Sequence, residues 1–540
     1  MKSVTRLLHI VIIFFSGGTS VWAQASSSGN DWHLLDPLTD TVQGIGVETA
    51  YKTLLKGLPS RTIKVAVIDS GIDIDHEDLR SVIWTNPGEV AGNGIDDDRN
   101  GYADDVHGWS FIGGKSGNVQ YDTYELTREL VRLKKLHDAA PSTLTRKQQL
   151  DRERYPQVKE QYDAKFAEED GQFRMYKRVY TNMAFGIDTL RSLLGDRTLT
   201  EARLDSIRSQ DPVILFAKSA VLSLLRNAPG TDIGTMMAEL KEGYDHYRGL
   251  VEYGLNQSFD PRPLVGDNYD DKRERYYGSS DVKGPDPDHG THVAGIIGAD
   301  RKNEIGIRGI ADNVRIMVIR AVPDGDERDK DVANAILYAV NNGASVINMS
   351  FGKQLSPDKS IVDEAVRYAE KRGVLIIHAA GNDGSDNDQT PNYPNATYEN
   401  GRTARLWLEI GASSDGRGKD LVANFSNYGK RSVDLFAPGV DVNSTIPGSG
   451  YKANSGTSMA APVVTGVAAL LLSYFPDLTA SDVREILLQS VRRFDGLEVI
   501  KPGSGDTAGL TDLCRSGGVV SAAEAVKLAL QRRSVTGKSR

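Results

Sequence analysis

Three segments far apart in the chain each offer one member of a carboxylate, imidazole and hydroxyl set. They are Val67-Ile68-Asp69-Ser70-Gly71, His289-Gly290-Thr291-His292-Val293-Ala294-Gly295 and Gly456-Thr457-Ser458-Met459-Ala460-Ala461-Pro462. A serine hydroxyl is a poor nucleophile until an imidazole accepts its proton, and the imidazole needs a carboxylate to fix its tautomer. Asp69, a histidine and Ser458 supply those three parts in the chain order Asp, His, Ser. Unrelated folds have built the same set in different orders, so the order itself carries information. The serine segment also lacks the second glycine of a G-x-S-x-G nucleophile elbow, which argues against an α/β-hydrolase. Two histidines compete for the role of base, His289 and His292, and spacing alone does not choose between them.

Taken together, the three segments resemble the subtilisin-like serine peptidases. The likeness extends over residues 63–113 and 284–530. It implies His289 as the base and leaves His292 a structural histidine. In Ala380-Gly381-Asn382 it implies that Asn382 donates to the oxyanion beside the Ser458 backbone N–H, a donor whose loss costs ~10²–10³ in kcat. Ser350-Phe351-Gly352 resembles the family's substrate-lining strand, which pairs with an extended peptide by strand addition. Asn392-Tyr393-Pro394 resembles the floor of the pocket for the residue before the cleaved bond. The activity implied is hydrolysis of peptide bonds through an acyl-enzyme on Ser458, with proteins or peptides as substrates.

A second constellation is acidic. From Asp96, side-chain oxygens stand at loop positions one (Asp96), three (Asp98), five (Asn100) and nine (Asp104), with Gly101 at six. That is the first part of an EF-hand loop, in which Tyr102 at seven offers its carbonyl. His107 stands where the closing glutamate belongs, so an isolated Ca2+ loop closed by Asp104 or Asp105 is the metal reading. The alternative is a solvated acidic turn. Asp78 and Asn303 resemble the family's structural calcium site and offer side-chain oxygens to a second ion.

These residues need a scaffold. Apolar runs at 63–68, 314–322, 345–348, 374–379 and 433–436 end in polar or glycine-rich turns, with helical stretches at 331–341 and 361–371 between them. This pattern predicts an α/β fold, a mostly parallel sheet between helices. In such sheets ligands bind at the carboxyl ends of the strands, where Asp69, Ser350 and Asn382 fall. From 121 to 256 the chain instead reads as charged amphipathic helix. Leu126, Leu130, Leu133 and His137 recur at helical spacing, as do Val213, Phe216, Ala217 and Ala220, and Leu240, Tyr244 and Tyr247. Gly195-Asp196 and Pro229-Gly230 mark turns. The expected organisation is a signal peptide (1–25), a short N-terminal segment (26–60), a peptidase domain (61–120 and 281–532), a mainly helical insertion (121–280) and a flexible tail (533–540).

Lys2 and Arg6 precede an apolar run from Leu7 to Phe15 and two small-residue cleavage sites near Ala23, the pattern of an export signal. The mature chain is expected in the periplasm or outside the cell, with no membrane anchor. A formal net charge of -9 argues against a nucleic-acid partner. With Cys514 as its one cysteine the chain forms no intrachain disulfide, and that residue is expected to be packed as a small apolar group. Two other functions remain open on the same scaffold: a catalytically silent peptide-binding protein and a peptide ligase. The insertion reads either as decoration or as an exosite or lid.

Overall fold

The computed structural model describes residues 31–195, 198–227 and 232–537. The expected signal peptide lies outside the described residues, as do Asp196, the Pro229-Gly230 turn and the last three residues of the tail. Two compact units emerge. One comprises the described residues up to Glu125 together with Asp260 onward, and the other is Leu126–Phe259.

The first unit is built on a nine-stranded sheet. Its strands are β1 (Ile63–Asp69), β2 (Gly108–Ser110), β3 (Val314–Arg320), β4 (Val346–Met349), β5 (Leu375–Ala379), β6 (Trp407–Ser413), β7 (Leu435–Pro438), β8 (Arg492–Arg493) and β9 (Gly518–Val519). Their order is β8-β9-β7-β6-β5-β4-β1-β3-β2, parallel throughout except for the short β8–β9 pair at one edge. Side chains of a strand alternate between faces, and both faces here are covered. Val65 and Val67 of β1 join one apolar core with the helices Asp288–Gly298, Thr457–Tyr474, Ala480–Gln489 and Ala522–Gly537. Ala66 and Ile68 join a second core with the helices Asp329–Asn341 and Lys359–Lys371. From Val65 to Ile68 the strand, buried on both sides, reads as an unbroken apolar run, which is why β1 was legible.

β6 escaped that reading because Glu409 interrupts it. The carboxylate is buried within the sheet, where it accepts from Trp407 Nε1 at 2.8 Å and meets His378 Nδ1 of β5 at 2.9 Å. The helix Thr457–Tyr474 is apolar and long enough to cross a membrane, but its most apolar stretch is 94% buried in the core. The segment before β1 is part of the same body. Trp32, Leu34, Ile45 and Val47 are buried, and Trp32 Nε1 donates to Val440 O at 3.1 Å. Cys514 is buried and unpaired. At the C-terminus the helix Ala522–Gly537 continues through residues expected as a flexible tail, because Ala522, Ala525, Val526 and Ala529 anchor it in the core.

The second unit is helical. Its longest element, Tyr155–Leu194, runs 40 residues, about 60 Å at 1.5 Å per residue. It packs with the helices Pro212–Asn227 and Ile233–Gly249 around Met183, Ile187, Leu190, Ala217 and Val221. Stacked rings join two of these helices, Tyr180 with Tyr244 at 5.2 Å and Tyr176 with Tyr247 at 5.0 Å. Leu130 and Leu133 are buried as the spacing predicts, whereas His137 is exposed. Val213 and Phe216 also face outward, so the buried stripe of that helix runs through Ala217, Val221 and Leu222.

Leu470 has no exposed surface and lies in the larger core. Leu470→Ala leaves a cavity there and is expected to cost about 2–5 kcal/mol, read as a lower midpoint in urea unfolding. A loss well under 1 kcal/mol would contradict this packing.

Candidate active site

β1 and β4 are adjacent and in register, Ile68 opposite Met349, so Asp69 and Ser350 emerge side by side at the carboxyl rim of the sheet. Asp69 is 2% exposed. Its Oδ1 accepts the Ser70 N–H at 2.8 Å and meets His289 Nδ1 at 2.7 Å. A carboxylate can only accept, so Nδ1 carries the proton and Nε2 of a neutral ring is left with its lone pair outward. The helix bearing His289 comes this close because its second residue after Asp288 is Gly290. A Cβ there would stand 2.2 Å from Gly71 O and 3.1 Å from Asp69 Cβ.

Burial is the largest single influence on the His289 ring and opposes its charging, but the charge and hydrogen bond of Asp69 work against it. With Asp288 and Asp286 adding to the field, the imidazole is held above its ordinary value of 6.5. His292 goes the other way, lowered to about 4 chiefly by burial, and its Nε2 meets Lys452 O at 3.0 Å. A neutral ring bound to a backbone carbonyl is a structural histidine.

Ser458 stands in the first turn of the helix Thr457–Tyr474, and its Oγ donates to Ser350 O at 3.1 Å. Ser350 returns the contact, its Oγ donating to Ser458 O at 2.9 Å. Asn348 donates to Ser350 Oγ at 3.0 Å and accepts from Thr465 Oγ1 at 2.8 Å, which ties the strand end to the helix. Asn382 follows β5. Its Oδ1 accepts from the Thr457 N–H at 2.8 Å and from Thr457 Oγ1 at 3.0 Å, turning Nδ2 toward the cleft. A methyl group built on Gly456 would lie 3.5 Å from Asn382 Nδ2 and 3.6 Å from Ser458 N. The Asn382 amide nitrogen and the Ser458 backbone nitrogen therefore lie near one small space beside the serine. Thr457, which aims the amide, was not singled out in the sequence, although it sits inside the serine segment.

Beyond the end of β5 stands Asn392, whose Nδ2 donates to Ala379 O at 3.3 Å and Ala380 O at 3.2 Å. On its other side the amide reaches the space above Gly352, where a Cβ would stand 2.5 Å from Nδ2. Phe351 is 9% exposed and its ring meets that of His378 at 6.2 Å.

The acidic loop is also brought together. Carboxylates of Glu89, Asp96 and Asp98 offer oxygens within 4.8 Å of one another. Glu89 was missed in the sequence because it lies outside the twelve-residue window of the loop pattern. Asn100 donates to Asp98 Oδ2 at 3.2 Å and to Asp105 Oδ2 at 2.9 Å. Asp104 faces a neighbouring turn, taking the N–H groups of Gly92, Asn93 and Gly94. Tyr102 buries its ring against Trp109 and Tyr338. Burial pushes Asp105 up to about 6, and Tyr338 Oη donates to it at 2.5 Å. Apart from this loop, Asp78 accepts from Asn303 Nδ2 at 2.7 Å and from the Ile307 N–H at 2.9 Å.

A parallel α/β sheet with an Asp–His pair and a helix-borne serine at its carboxyl rim has the architecture of a serine hydrolase. The family is shown by comparison: the chain belongs to the subtilase family of serine-type endopeptidases, whose model matches residues 60–517. It is similar to the thermophilic serine proteinase of Bacillus sp. (strain AK1), 42% identical over 209 residues, 38% of this chain and 48% of that protein. It is also similar to the thermostable alkaline protease of Halalkalibacterium halodurans, 32% identical over 304 residues, 54% of this chain and 76% of that protein. Subtilisin DY of Bacillus licheniformis is 36% identical over 242 residues, 44% of this chain and 81% of that protein. The match thus spans about half the length of the first of these relatives.

The raised imidazole fixes the sign of the pH dependence. His289 acts as a base only when neutral, so kcat/KM is expected to fall on the acid side with a midpoint above 6.5. Asp286→Asn removes one carboxylate from the field and should move that limb to lower pH, measured with a peptide anilide. Asp69→Asn frees the tautomer, and kcat should drop by ~10⁴.

Proposed function

We propose that the protein is an exported, calcium-stabilised endopeptidase that hydrolyses peptide bonds through an acyl-enzyme on Ser458. The observation that carries this reading is the pairing of Asp69 with His289 at 2.7 Å on the strand next to the one that holds Ser458 Oγ. In the reaction the hydroxyl turns from Ser350 O toward His289 Nε2 and gives up its proton as Oγ attacks the carbonyl carbon. Asp69 keeps the proton on Nδ1 and stabilises the imidazolium. The oxyanion takes hydrogen bonds from Asn382 Nδ2 and the Ser458 N–H. His289 then protonates the departing amine, and a water, deprotonated by the same ring, releases the acyl group and restores Ser458.

Substrate binding on this reading uses the backbone of Phe351 and Gly352 beyond Ser350. Neither residue's N–H or C=O has a protein partner among the described residues. An extended peptide can add there as a strand, with one side chain placed beside Asn392. The peptidase domain is proposed to be residues 61–120 and 281–532, interrupted by the helical segment 121–280. Export rests on the basic and apolar pattern of the first 25 residues.

For calcium the donor set fits a hard cation, since all the clustered groups present oxygen. Glu89, Asp96 and Asp98 would hold it, with Asn100, Tyr102, Asp104 and Asp105 around them. Asp78 and Asn303 would serve a second ion. A bound cation supplies the positive charge that crowded carboxylates otherwise lack.

The test is labelling by a serine-directed fluorophosphonate. Wild type is expected to label and Ser458→Ala not to; an unlabelled wild type would overturn the reading. For the metal, a chelator should lower Tm of the wild type by more than that of an Asp96→Asn, Asp98→Asn double variant, which keeps only the Asp78 and Asn303 site. Equal shifts in both would remove the loop from the calcium assignment.

A further inference from the structure

A lysine directly after the substrate-lining residues is buried where a surface lysine would be expected. Lys353 is 4% exposed. Its ammonium lies against Glu125 Oε2 at 2.8 Å, Glu327 O at 2.8 Å and Asp329 Oδ1 at 2.9 Å. Its backbone is held as well, its N–H donating to Tyr393 O at 2.9 Å and its C=O accepting the Tyr393 N–H at 2.8 Å. These partners come from three separate stretches of chain. Glu125 opens the helix Glu125–Asp138, and its N–H donates to Asp326 Oδ2 at 2.7 Å. Asp329 opens another helix and also accepts from Ser356 Oγ at 3.0 Å and the Asp358 N–H at 2.9 Å. Tyr393 is the neighbour of Asn392.

Residues 350–353 are thus pinned at both ends. Ser350 is held by Ser458, and Lys353 is held by its ammonium and by Tyr393. Phe351 and Gly352 between them keep their backbone groups open. A strand end can offer preorganised N–H and C=O groups to a peptide only if its far end does not move, because ordering it on binding costs affinity. Most side chains could not supply that anchor: a buried ammonium draws carboxylates and a carbonyl from several directions onto one point.

We propose that Lys353 is a positioning residue for substrate binding, holding the Phe351–Gly352 edge in register with Ser458 through its contacts with Glu125, Asp329 and Tyr393. The proposal rests on the reading of that edge as the peptide-binding strand. Lys353 touches neither the reacting atoms nor the oxyanion space, so its effect falls on extended substrates. An ester too small to reach the edge tests acylation alone.

Lys353→Met and Glu125→Gln should be compared with wild type on a tetrapeptide anilide and on p-nitrophenyl acetate, with rates normalised to sites titrated by a fluorophosphonate. For Lys353→Met the loss in kcat/KM on the tetrapeptide should exceed that on the acetate ester by about tenfold and appear mainly in KM. Glu125→Gln removes one charge and leaves the other contacts, so it should show the same split at smaller size. Equal losses on both substrates, or an unchanged KM for the tetrapeptide, would overturn the proposal. Should Lys353→Met not fold, Glu125→Gln decides alone by the same two criteria. If wild type takes up no fluorophosphonate, it is the peptidase reading that fails.

Discussion

The bond between Asp69 and His289 joins residues 220 positions apart, and much of the unit exists to keep it at 2.7 Å. A carboxylate 2% exposed is costly to bury unless it is hydrogen-bonded and paired. Here the Ser70 N–H and the imidazole share one oxygen, and the parallel sheet holds the strand from which Asp69 emerges. The helix carrying His289 can approach only because Gly290 has no side chain. The same bond sets the tautomer, the raised basicity and the direction in which Nε2 faces. Geometry, electrostatics and chemistry therefore share one contact.

Around it, the rim is assembled from strand ends rather than from one loop. Asp69 ends β1, Ser350 follows β4, and Asn382 follows β5. Parallel strands all finish on the same side, so residues from distant parts of the sequence arrive on one line with about 4.8 Å between neighbours. The serine comes from outside the sheet, on a buried helix locked to the rim through Asn348, Ser350 and Thr465. Buried polar groups under the cleft, such as the acceptors around Lys353 and the pair of His378 with Glu409, make the rim costly to deform, since each group needs its partner.

Motif residues were legible because they sit in runs whose form follows their chemistry: an apolar strand ending in Asp69, a histidine on a glycine-flanked helix start, and a serine opening a helix of small and apolar residues. The alternating cores on either side of β1 were legible for the same reason. β6 was hidden by one buried glutamate, whose partners lie on the neighbouring strand and on its own. Lys353 reads as a surface lysine in Gly-Lys-Gln, and its acceptors are scattered from Glu125 to Asp329. Glu89 joins Asp96 and Asp98 only through the path of the loop.

By itself the sequence determined the chemistry and the layer architecture, since both are written in local patterns: three motifs in a telling order, and strand runs alternating with helices. Tertiary structure decided what depends on distance between remote residues. It brought His289, which the family likeness had already chosen over His292, to within 2.7 Å of Asp69, turned the Asn382 amide with Thr457, and buried Lys353 among its acceptors. It also set the buried face of the helix carrying Val213 and Phe216, where periodicity admits more than one stripe and only packing selects. Local patterns record what a segment can become, whereas burial and pairing between segments exist only once the chain has closed on itself.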